Sequence, residues 1–321
     1  MTQDIYLLIE HIQGQVSDIS YIMTAAARVL ASSLGGDVVG VLLGSGSEGL
    51  KDTLAVDKVI YCDDPALAEF TSDAYKQVLT ALLGEHTPRV MFFGNTTLGA
   101  DISSVLAAHL EVPVINSCQK ISEDGSIVSQ ICGGKIMLDS QVTDATTFIT
   151  MIPGGYKPEE GQGGPPAEVI GFKGPDLSTL KVKLNQFIEP DSGDVDISQE
   201  KILIAIGRGI QTQDNIELAE ELAQLLGGTV CASRPVIDQG WLPASRLVGK
   251  SGKSVKPDLY LCLGISGAIE HLEGIRDSKT IIAVNSDPDA PIFDAATFGI
   301  ELDLLDLIDP LLEHIEKAKQ G

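Results

Sequence analysis

Residues 231–299 read CASRPVIDQGWLPASRLVGKSGKSVKPDLYLCLGISGAIEHLEGIRDSKTIIAVNSDPDAPIFDAATFG. Short apolar runs at Thr229–Ala232, Leu259–Leu263 and 280–284 each end in a polar or glycine-bearing turn. The turns are Ser233-Arg234-Pro235, Gly264-Ile265-Ser266-Gly267, and Asn285 followed by Asp287-Pro288. After the second turn, residues 268–275 have helical spacing. A strand that feeds such a turn before a helix is how α/β domains present free backbone N–H groups to a ligand. The stretch therefore predicts a parallel sheet with a binding crevice at the carboxyl ends of its strands.

The same alternation extends to both sides. A strand at 201–206 runs into Gly207-Arg208-Gly209. A helix at 215–226 is stopped by Gly227-Gly228, and the tail at 310–319 is an amphipathic helix with Leu311, Leu312 and Ile315 on one face. In the first half, strands are expected at 5–9, 37–43, 58–61 and 89–93, with another beginning at 113–115. Helices are expected at 20–34, 66–83 and 98–110, with Asp18 or Ser20 as the cap of the first. From Gly125 the pattern turns to successive extended runs at 127–132, 135–138 and 146–152. Residues 153–166, rich in Gly, Pro and Glu, read as an exposed loop. Short strands follow at 169–170 and 182–187, and 190–196 is a polar break. The expectation is an α/β protein of two doubly wound parallel-sheet domains, residues 1–190 and 198–321, the second Rossmann-like.

Individual residues carry sharper and blander readings. Arg208, between two glycines after a strand, suits a phosphate, although the spacing is not G-x-G-x-x-G. Ser233 and Arg234 lie where ligands of open sheets sit, yet such a pair is also ordinary turn chemistry. The block Val248-Gly249-Lys250-Ser251-Gly252-Lys253 lacks G-x-x-x-x-G-K-[ST] and is no Walker loop; taken alone it is a flexible loop. Ser266 is a cradle residue or a plain N-cap. His271, a lone helical histidine, is a ligand donor or a structural residue. Asn285 could bond a cofactor through its amide, and Asp303 could do so or simply close a turn.

Taken together, the ordered blocks resemble the flavin-binding half of the alpha subunit of an electron-transfer flavoprotein. The resemblance is dense from about residue 201 to 310. Before that it rests on strand order and the opening at Tyr6 to His11. It implies one FAD in the C-terminal domain, bound with help from a beta subunit on which the N-terminal domain packs. It implies Arg208 and Ser233 at the phosphates and Arg234 against the flavin ring. It places the loop Val248, Gly249, Lys250, Ser251 at the ring, with the Ser251 hydroxyl toward N5. The cradle would be Ser266, Gly267, Ala268, Ile269 and Glu270. His271 would donate to the flavin C2 carbonyl, with Asn285 toward the adenosine or ribityl part and Asp303 toward the adenosine end. Four positions depart from the family pattern: Ile206 stands where a further Gly is usual, Lys250 and Ser251 replace Gln and Thr, and Glu270 replaces Gln. An ionised Glu accepts hydrogen bonds but cannot donate them.

The 321 residues carry 45 acidic and 22 basic side chains, a formal net charge of −23. That balance argues against nucleic acid and against an anionic membrane surface; it suits a solvated surface or the steering of a basic partner. Five scattered cysteines without C-x-x-C, and five dispersed histidines, read as reduced thiols in a cytoplasmic compartment with no metal site. No leader pattern and no apolar run of membrane-spanning length is expected. No nucleophile–base constellation accompanies the cradle. The implied function is an electron carrier between flavin dehydrogenases, such as acyl-CoA dehydrogenases, and a quinone-reducing or other acceptor. Two alternatives stay open: a flavin-based bifurcating complex with a second FAD in the beta subunit, and an NAD-dependent enzyme on a similar domain.

Overall fold

The computed structural model describes residues 2–132, 136–142, 145–186 and 195–320, Gln320 by its backbone only. The chain divides into two compact units, Met1–Phe187 and Ile188–Gly321.

The N-terminal unit is built on a nine-stranded sheet. From edge to edge its strands are Glu168–Gly171, Lys58–Asp63, Val38–Gly44, Ile5–Leu8, Val90–Gly94, Thr147–Met151, Val114–Ile121, Ile127–Ile131 and Ile136–Ser140. The central strand shows why the sheet is covered on both sides. Ile5, Leu7 and Ile9 join one core with Ile22, Met23 and Leu30 of helix Asp18–Leu34. Tyr6 and Leu8 join another with helices Ser72–Glu85 and Thr97–Leu110. Alternate side chains point to opposite faces, so a near-continuous apolar run marks a doubly covered strand. The first seven strands are parallel, and the last two pair antiparallel. A tight turn reverses the chain there, with Gly125 at φ 84 and its N–H donating to Ser122 O. So short a connection can only join antiparallel strands.

Several expectations are corrected. The cap of the first helix is Ser17, not Asp18 or Ser20; the Ser20 hydroxyl instead donates to Glu10 O and accepts from Glu10 N. The helix expected over 66–83 is two pieces, a turn Pro65–Leu67 capped by Asp64 and a helix starting at Ser72. The polar Thr71-Ser72-Asp73 interrupts the run, and extended Thr71 is the residue from which the second helix starts, without a side-chain cap bond. The loop at 153–166 holds a one-turn helix, Pro158–Gly161, and Gly161 is buried so tightly that a Cβ there would lie 1.9 Å from Tyr21 O. Residues 182–186 form no strand: Val182 and Leu184 are 57% and 44% exposed, with no neighbouring strand to complete the ladder. Phe187 and Lys135, each at the end of an expected strand, lie outside the described residues.

The C-terminal unit is a five-stranded, all-parallel sheet in the order Thr229–Ala232, Ile202–Ile206, Leu259–Leu263, Ile281–Asn285, Phe298–Glu301. The first strand in sequence lies second, so the order in which strands are added reverses between Ile202–Ile206 and Leu259–Leu263, which run parallel. That is the switch point at which open sheets leave a crevice. Its tail corrects the sequence reading: the last helix is Leu304–Gln320 and runs through Pro310. The Asp303 carboxylate accepts from Leu305 N at 3.0 Å. Leu304, Ile308 and Leu312, one turn apart, are 3%, 0% and 9% exposed. Burial of that stripe outweighs the hydrogen bond that proline forfeits. Among the described residues, no helix is long and apolar enough to cross a membrane.

Candidate functional site

At the switch point two glycine turns meet. A Cβ on Gly207 would lie 2.2 Å from Gly264 O, and one on Gly209 would lie 2.6 Å from Gly264 Cα. Only glycine permits this approach, and it leaves a cavity of about 610 Å³ beyond the strand ends, a usual size for a small-molecule site. Arg208, Ser233, Arg234, Val248, Gly249, Lys250, Ser251, Ser266, Ala268, Glu270, His271, Asn285 and Asp303 all line it. Gly267 and Ile269 do not. Gly267, at φ 86, backs the cradle instead: a Cβ there would lie 2.2 Å from Ile292 N. Ile269 is half-buried as the first residue of helix Ile269–Ile275.

The cradle turn supplies donors. Among the described residues, the amide N–H groups of Ser266, Gly267, Ala268, Ile269 and Glu270 have no protein acceptor, while Gly264 N is tied to Val284 O. The amides of Arg208 and Ser251 are free as well. The Asn285 side chain is largely used by the fold: Nδ2 donates to Ile265 O at 2.9 Å and Oδ1 accepts from Asp287 N at 2.9 Å. It shapes the turn, with one N–H to spare.

On the opposite rim, Ser233 follows strand Thr229–Ala232 and precedes the short helix Arg234–Asp238, which the sequence reading missed. Arg234 Nε donates to Asp238 Oδ1 at 2.7 Å, and Nη1 donates to Ser251 Oγ at 3.2 Å. The Ser251 hydroxyl thus accepts from Arg234 and keeps its own proton to give. Arg234 is 60% exposed, so its pairing with Asp238 is screened and modest in strength.

His271 behaves differently from the resemblance. It is 5% exposed. Nδ1 lies 3.1 Å from Val248 O and Nε2 lies 3.1 Å from the Tyr260 hydroxyl. A carbonyl only accepts, so Nδ1 carries the proton and Nε2 accepts from Tyr260. Burial pulls the imidazole down to about 4, against the opposing effect of the Val248 carbonyl. The ring is therefore neutral, and donation to a ligand carbonyl would require breaking one of these bonds. Tyr260 is wholly buried, and the Cys231 thiol, pushed up to about 12 by burial, points at its oxygen from 3.8 Å. Tyr260 was missed; its signal is a phenol in an otherwise aliphatic buried strand, where the hydroxyl needs a partner. Gln211, Ser286 and Leu302 also line the cavity and were not singled out for it.

Residues 5–177 match the family model described as electron transfer flavoprotein domain, and residues 196–276 match the electron transfer flavoprotein FAD-binding domain. The chain is 32% identical to electron transfer flavoprotein subunit alpha of Bacillus subtilis, over 99% of this chain and 98% of that one. The chain belongs to the electron-transfer flavoprotein alpha-subunit family. Protein FixB of Clostridium saccharobutylicum is 34% identical, covering 98% of this chain and 96% of its own. Acryloyl-CoA reductase electron transfer subunit beta of Anaerotignum propionicum is also 34% identical, covering 99% and 97%. Among solved structures, benzoylformate decarboxylase from Polynucleobacter necessarius aligns over 96% of this chain and 58% of its own with a TM-score of 0.20 and 14% identity, too distant to carry an argument. The electron-transfer flavoprotein FAD-binding domain thus falls on the unit that holds the cavity. The residues present fit such a group: the turn at 266–270 carries five unspent amides, Arg208 and Arg234 add positive charge at the cavity wall, and Ser251 offers a hydroxyl.

Proposed function

We propose that the chain is the alpha subunit of a heterodimer with a beta subunit, a cytoplasmic carrier taking electrons from flavin dehydrogenases, such as acyl-CoA dehydrogenases of fatty acid β-oxidation. The acceptor is a quinone-reducing enzyme or another oxidant. The FAD site lies within residues 198–321 plus an edge of the partner, and residues 1–190 pack on the beta subunit. The observation that carries the reading is the cavity at the switch point, where separate sequence blocks converge on one set of donors.

Bound there, FAD supplies an isoalloxazine ring that takes up and returns one or two electrons. The chain's own residues do the rest. The unspent amides of 266–270 and the Arg208 side chain would hold the pyrophosphate, as anions are held at strand-to-helix turns. Arg234 presents a fixed cation that favours an anionic ring, and Asp238 attenuates it. Ser251 keeps a proton to donate. His271, with both nitrogens engaged inside the protein, fastens the Val248 loop to the floor, which supports a carrier without acid–base chemistry of its own. A second reading is a subunit of a flavin-based bifurcating complex; the relative named as an electron transfer subunit of acryloyl-CoA reductase supports a place in a larger complex.

Cofactor analysis of the purified heterodimer tests the assignment. One FAD with AMP is the result expected of a simple carrier. Two FAD identify the bifurcating complex, and bound NAD instead of flavin refutes both. Expression of residues 198–321 with and without the partner locates the flavin; retention by 1–190 instead would overturn the domain roles.

A further inference from the structure

The cavity rim carries two oppositely charged couples, and they are built differently. Arg234 is matched by Asp238 through a direct contact at 2.7 Å. Lys250 and Glu270 are joined through their main chains: the Lys250 N–H donates to the Glu270 carbonyl at 2.7 Å. Both side chains are exposed and both line the cavity.

The joint is tight. Gly249 stands at φ 132, and a Cβ there would lie 2.7 Å from Glu270 O. Gly274 presses from behind, with room for no side chain against Gly249 N at 2.6 Å. One residue further on each side, His271 Nδ1 donates to Val248 O at 3.1 Å. The loop and the helix turn therefore meet at adjacent points, and the roots of an ammonium and a carboxylate are held together at the cavity edge.

We propose that Lys250 and Glu270 form a balanced charge couple that sets the electrostatic potential at the cavity rim, each offsetting the other's effect on the redox state of the bound flavin. This rests on the reading of the cavity as the FAD site. A lone ammonium at the rim would favour a reduced, anionic ring over a neutral oxidised one, and a lone carboxylate would oppose it. Rooted side by side, they leave little net charge. Glu273 lies on the same helix outside the cavity lining and serves as an internal control.

The test uses the FAD-loaded complex with its partner subunit. Midpoint potentials are measured by anaerobic spectral titration for wild type, Lys250→Gln, Glu270→Gln, the double variant and Glu273→Gln, at low and high salt. Glu270→Gln should strengthen binding of reduced relative to oxidised flavin by roughly two- to sixfold, the scale of a partly solvated unit charge several ångströms away. Lys250→Gln should weaken it by a similar factor. The double variant should return to within about twofold of wild type, Glu273→Gln should match wild type, and salt should shrink every shift. Single variants that move the potential in the same direction, or leave it in place with flavin bound, overturn the couple. A complex that purifies without flavin overturns the site reading itself.

Discussion

Glu10 closes the switch point of the N-terminal unit, and replacing it with glutamine tests whether a buried carboxyl there governs stability. It follows the central strand, beside the end of Val90–Gly94, and is 4% exposed. Its oxygens accept from the Thr96 hydroxyl at 3.0 and 2.9 Å. Gly94 makes room, because a Cβ there would lie 2.5 Å from Glu10 Oε1. Desolvation lifts the carboxyl from 4.5 to about 7, against the hydrogen bonds from Thr96 and Gly94 that pull it down. A raised carboxyl pKa means that the folded state keeps a proton the unfolded state has released. Stability from this group is full below pH 4.5 and is lost as pH rises through about 7. The difference of about 2.5 units corresponds to roughly 3 kcal/mol at 1.36 kcal/mol per unit. Many other carboxylates titrate in this chain, so the informative quantity is wild type minus Glu10→Gln. Amide exchange of peptides within residues 90–110, read by mass spectrometry from pH 4.5 to 8, reports this unit separately from Trp241 in the other. The variant should gain on wild type by up to about 3 kcal/mol across that window. Parallel pH profiles for the two proteins would refute the argument.

Gly207→Ala should destabilise the C-terminal unit by about 1–3 kcal/mol, the scale of an overpacked core, because its Cβ meets Gly264 O at 2.2 Å; urea unfolding followed by Trp241 fluorescence, with flavin content, checks it, and wild-type values for both would contradict the glycine contact. The His271 ring proton should titrate near pH 4 in NMR rather than near 6.5. Because the unfolded state takes up that proton first, stability of this unit should rise from pH 4 to 6.5, and a midpoint near neutrality would mean that the ring is not sealed between Val248 and Tyr260. Arg234→Ala should make flavin reduction harder, by less than the roughly 4 kcal/mol of an unmatched charge at ~4 Å and an effective dielectric of 20, since Asp238 already offsets it; an unchanged redox titration would remove Arg234 from the ring's neighbourhood.

The site loops were legible because their chemistry is local. Gly207-Arg208-Gly209, Ser233-Arg234 and Gly264-Ile265-Ser266-Gly267 announce strand-to-helix turns by residue type alone. What stayed hidden depends on distant partners. Glu10 looks like any polar residue after a strand, since Thr96 lies 86 positions away. Tyr260 reads as one more core aromatic until its facing of His271 is known. Pro310 pointed to a helix start, but the buried stripe of Leu304, Ile308 and Leu312 carries the helix through it. Alternation at 182–187 suggested a strand, yet a strand exists only where a neighbour offers hydrogen bonds.

The last strand of the C-terminal sheet has a practical consequence for anyone making this chain. Phe298–Glu301 ends the sheet among the described residues, with Phe298 61% and Ile300 37% exposed. Leu302 follows at 39%. An edge with open backbone groups and a row of apolar side chains is a template for further strands. Synthesised without whatever normally covers it, the polypeptide should self-associate through this edge, despite a net charge of −23 that keeps the rest of its surface apart. Yield of monodisperse material should therefore depend on co-production with a partner more than on temperature or salt, and a lysine at position 300 should recover it by placing an unpaired charge in the row.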